Sequence, residues 1–251
     1  MISKNAKLGN NVILGENVVI EDNVIIGNNV TIGHNVVIRK DTIIGDGCII
    51  GDNTVLGKKP FKASASATTE EKELLPLKIG KYVTIGANCV IYRGAILGDF
   101  VFVGDLASIR EDVEIGEYTI IGRGVAVENK TKIGKYVKIE TNAYITAIST
   151  IEDYCFIAPA VTFTNDNFLG RTEERKKYFK GPILRKGARI GANATILPGK
   201  EIGEDALIAA GAILTKNAKP GKIYVGSPAK EIKDVPEEQL LKNQSYYKND
   251  K

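Results

Sequence analysis

The sequence predicts an all-β solenoid, a chain wound into a three-sided prism, and three observations point to it. An aliphatic residue recurs at every sixth position from Ile2 to Leu214, with only two interruptions. A small or β-branched residue stands two places before it, as at Val12, Val18, Val24, Thr42, Ala107 and Ala194. Aromatic residues recur every eighteenth position at Tyr82, Phe100, Tyr118, Tyr136 and Tyr154. A period of six matches neither the 3.6 of a helix nor simple strand alternation. It describes hexads that each supply one short strand and one turn.

The hexads run from Ile2 through Leu8, Leu14 and Ile20 to Leu56. They resume at Ile79, reach Ile157 and Phe163, restart at Leu184 and end at Leu214. Of these thirty-one positions only Phe163 is not Ile, Leu or Val. Strand alternation turns the residue two places earlier to the same side, so both point into a narrow core. Gly commonly follows the aliphatic, and Asn recurs three places after it (Asn11, Asn17, Asn23, Asn29, Asn35). Both tolerate the left-handed conformation of a tight turn.

The eighteen-residue period makes three hexads per coil, so residues eighteen apart stack in columns at about 4.8 Å. Gly is missing after the aliphatic in one such column: Ser3, Glu21, Arg39, Tyr92, Arg110, Glu128, Thr146 and Thr164. Arg110 and Glu128 are therefore expected to touch. About eleven coils give a prism on the order of 50 Å long.

Two insertions, 58–77 and 164–183, break the pattern. With Leu56 on the first face, the column of missing glycines is continuous only if Ile79 lies on the second face and Ile91 returns to the first. Phe163 then also lies on the first face. Both loops are expected to leave from one corner, five coils or roughly 24 Å apart. Twenty residues folded back can span about 30 Å, so the two could frame one groove. Loops this long inside a compact repeat usually carry function.

The array is expected to form one domain over 1–226, followed by a tail over 227–251. Asp234 with Glu237 resembles a capping box opening a short helix from Leu240 to Tyr247. The net charge of +4 is too mild for a nucleic-acid partner. No signal-peptide pattern and no long apolar span are present, so a cytoplasmic chain off the membrane is expected. Cys48, Cys89 and Cys155 all occupy the small inward position, which marks them as buried fillers rather than metal ligands or nucleophiles. A single histidine, His34, cannot build a zinc cluster, so no metal is expected. Outward positions such as Ile13, Ile25, Ile49, Phe102 and Phe156 are apolar, which favours side-by-side packing into a homotrimer.

These hexads resemble the hexapeptide-repeat acyltransferases. The resemblance implies a left-handed parallel β-helix, trimers, and acetyl-coenzyme A as the acyl donor. The stretch GARIGANATILPGKEIGEDALIAAGAILTKNAKPGKIYVGSPAK, from Gly187 to Lys230, is similar to their coenzyme A-binding end. Ala192 and Ala210 would there meet the pantetheine arm, with Lys216 and Lys230 at its phosphates. FTNDN at Phe163–Asn167, with the basic loop behind it and the loop KKPFKASASATTEEKELLPL, is similar to N-acetyltransferases of nucleotide-linked (dTDP) 3-amino-3,6-dideoxyhexoses. Asn165 and Asp166 would hold the sugar amine. Glu140 breaks a column of glycines (Gly86, Gly104, Gly122) and is a third candidate for the amine pocket. The diphosphate could use Arg171, Arg175 or Lys177 of the second loop, or Lys58, Lys59 and Lys62 of the first.

Many relatives in this family use a histidine base, and this chain has no candidate beyond His34. A sugar hydroxyl needs such a base, whereas a neutral amine already carries its nucleophilic lone pair. That favours N-acetylation. O-acetylation of a hydroxyl is the closest rival, separated from it by thiol release with amino or hydroxy acceptors. A non-catalytic scaffold is a further alternative, and it would bind no coenzyme A.

Overall fold

In the computed structural model, which describes residues 1–64, 66 and 68–248, the hexads form a parallel β-helix with three flat faces. The strands are mostly two residues long, such as Thr84–Ile85, and each pairs with the strands one coil before and after it. The three faces carry ten, twelve and ten strands. The first face holds Ile38, Leu56, Ile91, Ile109, Val127, Ile145 and Phe163. The second holds Ile44, Ile79 and Leu97, and the third Ile50, Ile85 and Val103. This is the left-handed β-helix class, of about twelve turns.

Its core is the column arrangement read from the hexads. The aliphatics from Ile20 to Leu214 are almost completely buried, and Phe163 is the largest fully enclosed side chain. The inward small positions hold Val, Ala, Thr and Cys, with each polar one bonded to backbone. Thr119 Oγ1 donates to Gly134 O at 2.8 Å, and the three buried cysteines point their Sγ at carbonyls 3.1–3.2 Å away. A buried hydroxyl or thiol so satisfied costs little.

The turns explain the Asn and aromatic columns together. Asn11, Asn17, Asn23, Asn29 and Asn35 have φ of 56–58°, and Tyr82, Phe100, Tyr118, Tyr136 and Tyr154 have φ of 55–60°. Asn side chains bond along their columns, as in Asn17 Nδ2 to Asn35 Oδ1 at 3.2 Å. The aromatic rings stack with centroids 4.7–5.2 Å apart, on the corner between the second and third faces. Their faces cover one another, so this ladder joins coils and offers no platform to a ligand.

The tail departs from expectation. Residues Lys230–Asp234 form a strand antiparallel to Lys222–Val225, and Asp234 pairs with Lys222 at 2.5 Å instead of capping a helix. The expected helix over Leu240–Tyr247 is reduced to two 3₁₀ turns, Glu237–Gln239 and Leu241–Asn243, and a single α-helical turn at Ser245–Lys248. Tertiary contacts prevail over the local capping signal: Leu241 is buried, with its amide on Asp205 Oδ1 at 3.0 Å. Among the described residues no helix is long and apolar enough to cross a membrane.

Candidate functional site on the edge shared by two loops

Both long insertions leave the first face and re-enter on the second, one between the strands at Leu56 and Ile79 and the other between those at Phe163 and Leu184. They share one corner, termed here the loop edge. The first loop climbs it towards the second. Arg93, fixed on the prism by donating to Lys40 O (2.8 Å) and Asp41 (2.9 Å), anchors its return by donating to Leu74 O (3.0 Å). Further along, Lys72 meets Asp112 at 2.8 Å, Arg110 reaches Thr69 Oγ1 at 3.2 Å, and Asn129 reaches Thr68 O at 2.8 Å.

The second loop is organised by Asp166. Its carboxylate accepts from the amides of Phe168 (2.8 Å) and Gly170 (2.9 Å) and from Arg175 Nη1 (2.9 Å). Burial works in the opposite direction, but the Gly170 and Phe168 amides and Arg175 outweigh it and hold this carboxyl below its ordinary value. Asp166 therefore stays ionised. Three of roughly four acceptor sites on a carboxylate are filled, leaving one for a ligand. The adjacent Asn165 side chain makes no hydrogen bond among the described residues, although its carbonyl receives the Lys180 amide at 3.3 Å.

Between the loops runs a continuous polar strip along the Gly-poor column. Lys58 Nζ lies 5.1 Å from the centre of the Tyr92 ring, and the Arg110 guanidinium 5.0 Å from it. Arg110 holds the buried Glu111 through Nε at 2.8 Å and touches Glu128 at 3.4 Å. Glu111 is well satisfied, also receiving Asn129 Nδ2 at 3.0 Å. Glu128 is not, and burial raises its pKa despite Arg110, with the Glu111 charge adding to the rise. Tyr144 stands beside it, its own pKa raised by burial and then by Glu128. One corner thus carries a carboxylate kept charged and, two coils before it, one inclined to hold a proton.

The other expected site residues are dispersed. Asn165 and Asp166 are together, but Glu140 follows Ile139 on the corner between the third and first faces, so within one chain it does not join them. Ala192 and Ala210 lie along that same corner, following the strands Arg189–Ile190 and Leu207–Ile208. Lys216 is exposed on the loop edge beyond Leu214, and Lys230 is exposed at the start of the terminal antiparallel strand. His34 is exposed in an early coil, where its Nδ1 accepts the Glu16 amide at 2.9 Å. Glu128 and Arg93 were not expected as site residues. The column of missing glycines contained Glu128, but its burial and sparse bonding follow only from the folded edge.

Comparison with known proteins agrees with this architecture. The model for bacterial transferase hexapeptide (six repeats) matches residues 1–34, 23–58 and 94–129. The model for the hexapeptide repeat of succinyl-transferase matches 76–104 and 186–216. Together these stretches cover more than half of the chain, which belongs to the hexapeptide-repeat transferases. A 2,3,4,5-tetrahydropyridine-2,6-dicarboxylate N-acetyltransferase of Staphylococcus aureus is 44% identical over 62 residues, 25% of this chain and 26% of the relative. The chain thus spans about a quarter of that relative's length. A solved UDP-N-acetylglucosamine acyltransferase shares the fold at TM-score 0.54 and 21% identity, over 92% of this chain and 70% of the other. That from Campylobacter jejuni does so at 0.50 and 19%, over 93% and 72%.

Proposed function

We propose that the protein is an acetyl-coenzyme A-dependent N-acetyltransferase whose acceptor is the amine of a nucleotide-linked amino sugar, a dTDP-linked 3-amino-3,6-dideoxyhexose in the narrowest reading. One observation carries it: two long loops share an edge whose strip ends in two carboxylates of opposite disposition, Glu128 and Asp166. Carboxyl groups whose environments push their pKa values apart are suited to divided acid–base roles. The Staphylococcus relative is by name an N-acetyltransferase, which supports acyl transfer to nitrogen.

In this reading the sugar lies on the strip between the loops. The remaining acceptor site of Asp166 takes a hydrogen bond from the amine and turns its lone pair towards the acetyl carbonyl, with the free Asn165 amide beside it. The nitrogen attacks the carbonyl carbon, a C–N bond forms, the C–S bond breaks, and coenzyme A leaves as thiolate. The nitrogen must then lose a proton, and Glu128 is the acceptor on the edge with the higher affinity for one. Positioning supplies the larger part of the rate. Coenzyme A lies towards the C-terminal coils, near Ala192, Ala210, Lys216 and Lys230, in a cleft between protomers of a homotrimer. Glu140, on the corner shared with Ala192 and Ala210, faces that cleft.

The test is coenzyme A release from acetyl-coenzyme A with matched nucleotide-linked amino and hydroxy sugars. Release with the amino sugar alone is expected. Release with the hydroxy sugar alone would establish the O-acetyl rival, and failure to bind coenzyme A would exclude the enzyme.

A further inference from the structure

We infer that Glu111 is a positioning residue: by gripping Arg110 it withholds the guanidinium from Glu128 and leaves Glu128 free to take a proton. The inference rests on the reading of Glu128 as the proton acceptor given above and says what makes it one.

One guanidinium on the loop edge faces two carboxylates. Arg110 Nε donates to Glu111 Oε2 at 2.8 Å and Nη2 to Glu111 Oε1 at 3.0 Å, the two-pronged geometry that a guanidinium favours. Towards Glu128 it extends only Nη1, at 3.4 Å, beyond the roughly 2.7–2.9 Å of a strong charge-assisted bond. Glu111 prevails because it lies deeper. Its side chain is 4% exposed against 25% for Glu128, and a buried charge without a counter-ion is strongly destabilising.

The rest of the guanidinium is occupied as well. Nη2 also reaches Thr69 Oγ1 of the first loop at 3.2 Å, and the Tyr92 ring lies against it, with its centre 5.0 Å from Cζ. Asn129 makes a matching pair of contacts, its Nδ2 donating to Glu111 Oε1 at 3.0 Å and to Thr68 O at 2.8 Å. Both side chains that hold Glu111 therefore also hold the tip of the first loop. With the loop down, Arg110 is kept from turning to Glu128.

The other charges around Glu128 are engaged elsewhere. Lys130 pairs with Glu70 and Lys72 with Asp112, while Lys58 lies over Tyr92, three coils away. Tyr144 on the next coil keeps its phenolic proton, because burial and then the Glu128 charge raise its pKa. Burial lifts the Glu128 carboxyl above its ordinary value; Arg110 opposes this without reversing it, and the Glu111 charge adds to it. An arginine closely paired with a carboxyl lowers its pKa by about 1–3. The commitment of Arg110 to Glu111 thus decides which of the two carboxylates serves as the base.

The test is a carboxyl-carbon NMR titration of Glu128 in the full chain, its signal assigned by loss in Glu128→Gln. The titration is repeated in Glu111→Gln and Glu111→Asp, with melting temperature as the control for folding. Glutamine removes the charge and releases the guanidinium. The Glu128 midpoint is then expected to fall by about one pH unit, tenfold in proton affinity, the low end of the arginine effect because this carboxyl is 25% exposed. Aspartate keeps the charge but, one methylene shorter, loses the two-pronged hold, and a smaller fall is expected. The acidic limb of the rate profile should move with the titration. An unchanged midpoint in Glu111→Gln overturns the inference. So does the parent midpoint in Glu111→Asp beside a fall in Glu111→Gln, which assigns the effect to charge alone. Where glutamine prevents folding, Glu111→Asp decides: a fall supports the inference and the parent midpoint overturns it. A midpoint that falls while the acidic limb stays in place supports the grip on Arg110 and separately refutes Glu128 as the proton acceptor.

Discussion

Replacing Arg93 by Met should unfasten the return limb of the first loop while leaving the prism intact. Met keeps most of the apolar stem and removes three charge-assisted hydrogen bonds, to Leu74 O, Lys40 O and Asp41. Only the Leu74 bond joins the loop to the prism, because Lys40 and Asp41 lie on the coils with Arg93, and one such bond contributes about 1.5–3 kcal/mol. Part of that is recovered because water reaches the freed Leu74 carbonyl once the loop lifts. The other ties include the exposed pairs Lys72–Asp112 and Lys130–Glu70, worth about 0.2–1 kcal/mol apiece. A net loss of about 1.4 kcal/mol from loop closure is expected, which is about tenfold in the open population. Chymotryptic cleavage after Leu74, buried in the native loop, reads that population. The cut should accelerate about tenfold in Arg93→Met with an unchanged far-UV spectrum. Equal cleavage rates would refute the assignment of Arg93 as the tie.

Other outcomes follow from the same edge. Glu128→Gln should lower turnover and remove the acidic limb of the rate profile, a limb expected above the ordinary glutamate value of 4.5 because burial raises this carboxyl. A raised carboxyl stabilises the fold most when protonated and loses that contribution as pH rises through its folded value, so at neutral pH the variant should melt no lower than the parent; a large drop in melting temperature would mark a structural role instead. Asp166→Asn should reduce turnover with coenzyme A affinity nearly intact, and loss of coenzyme A binding with normal turnover would count against its role with the amine. Because burial raises Cys48, Cys89 and Cys155, none should react with an aromatic disulfide in the native state and all three should react after denaturation; a fast-reacting native thiol would contradict the packing.

Much of the fold was legible because the hexad is a local rule applied over and over. Ile85 faces inward for the same reason as Ile50 and Val103, and the absence of Gly at Tyr92, Arg110 and Glu128 was enough to place both loops on one corner. The contact of Arg110 with Glu128 was likewise expected and is present at 3.4 Å. The tail was not legible, because its conformation is set by contacts of Leu241 with Asp205 and by pairing with Lys222–Val225, neither of which is local. The site was legible only in part. The two loops and their basic residues stood out, but which of them carry an ion pair depends on where the loops land, as in Lys72 with Asp112 and Arg175 with Asp166. Glu140 stood out through its broken glycine column, yet the coil places it on a different corner from Asp166.

A crystal structure with coenzyme A and a nucleotide-linked amino sugar bound together tests the central claim most directly. The sugar is expected on the loop edge, its nitrogen within about 3.2 Å of the carboxylate of Glu128 or Asp166. A sugar bound at the aromatic ladder of Tyr82 to Tyr154, touching the loop edge of no protomer, would contradict it.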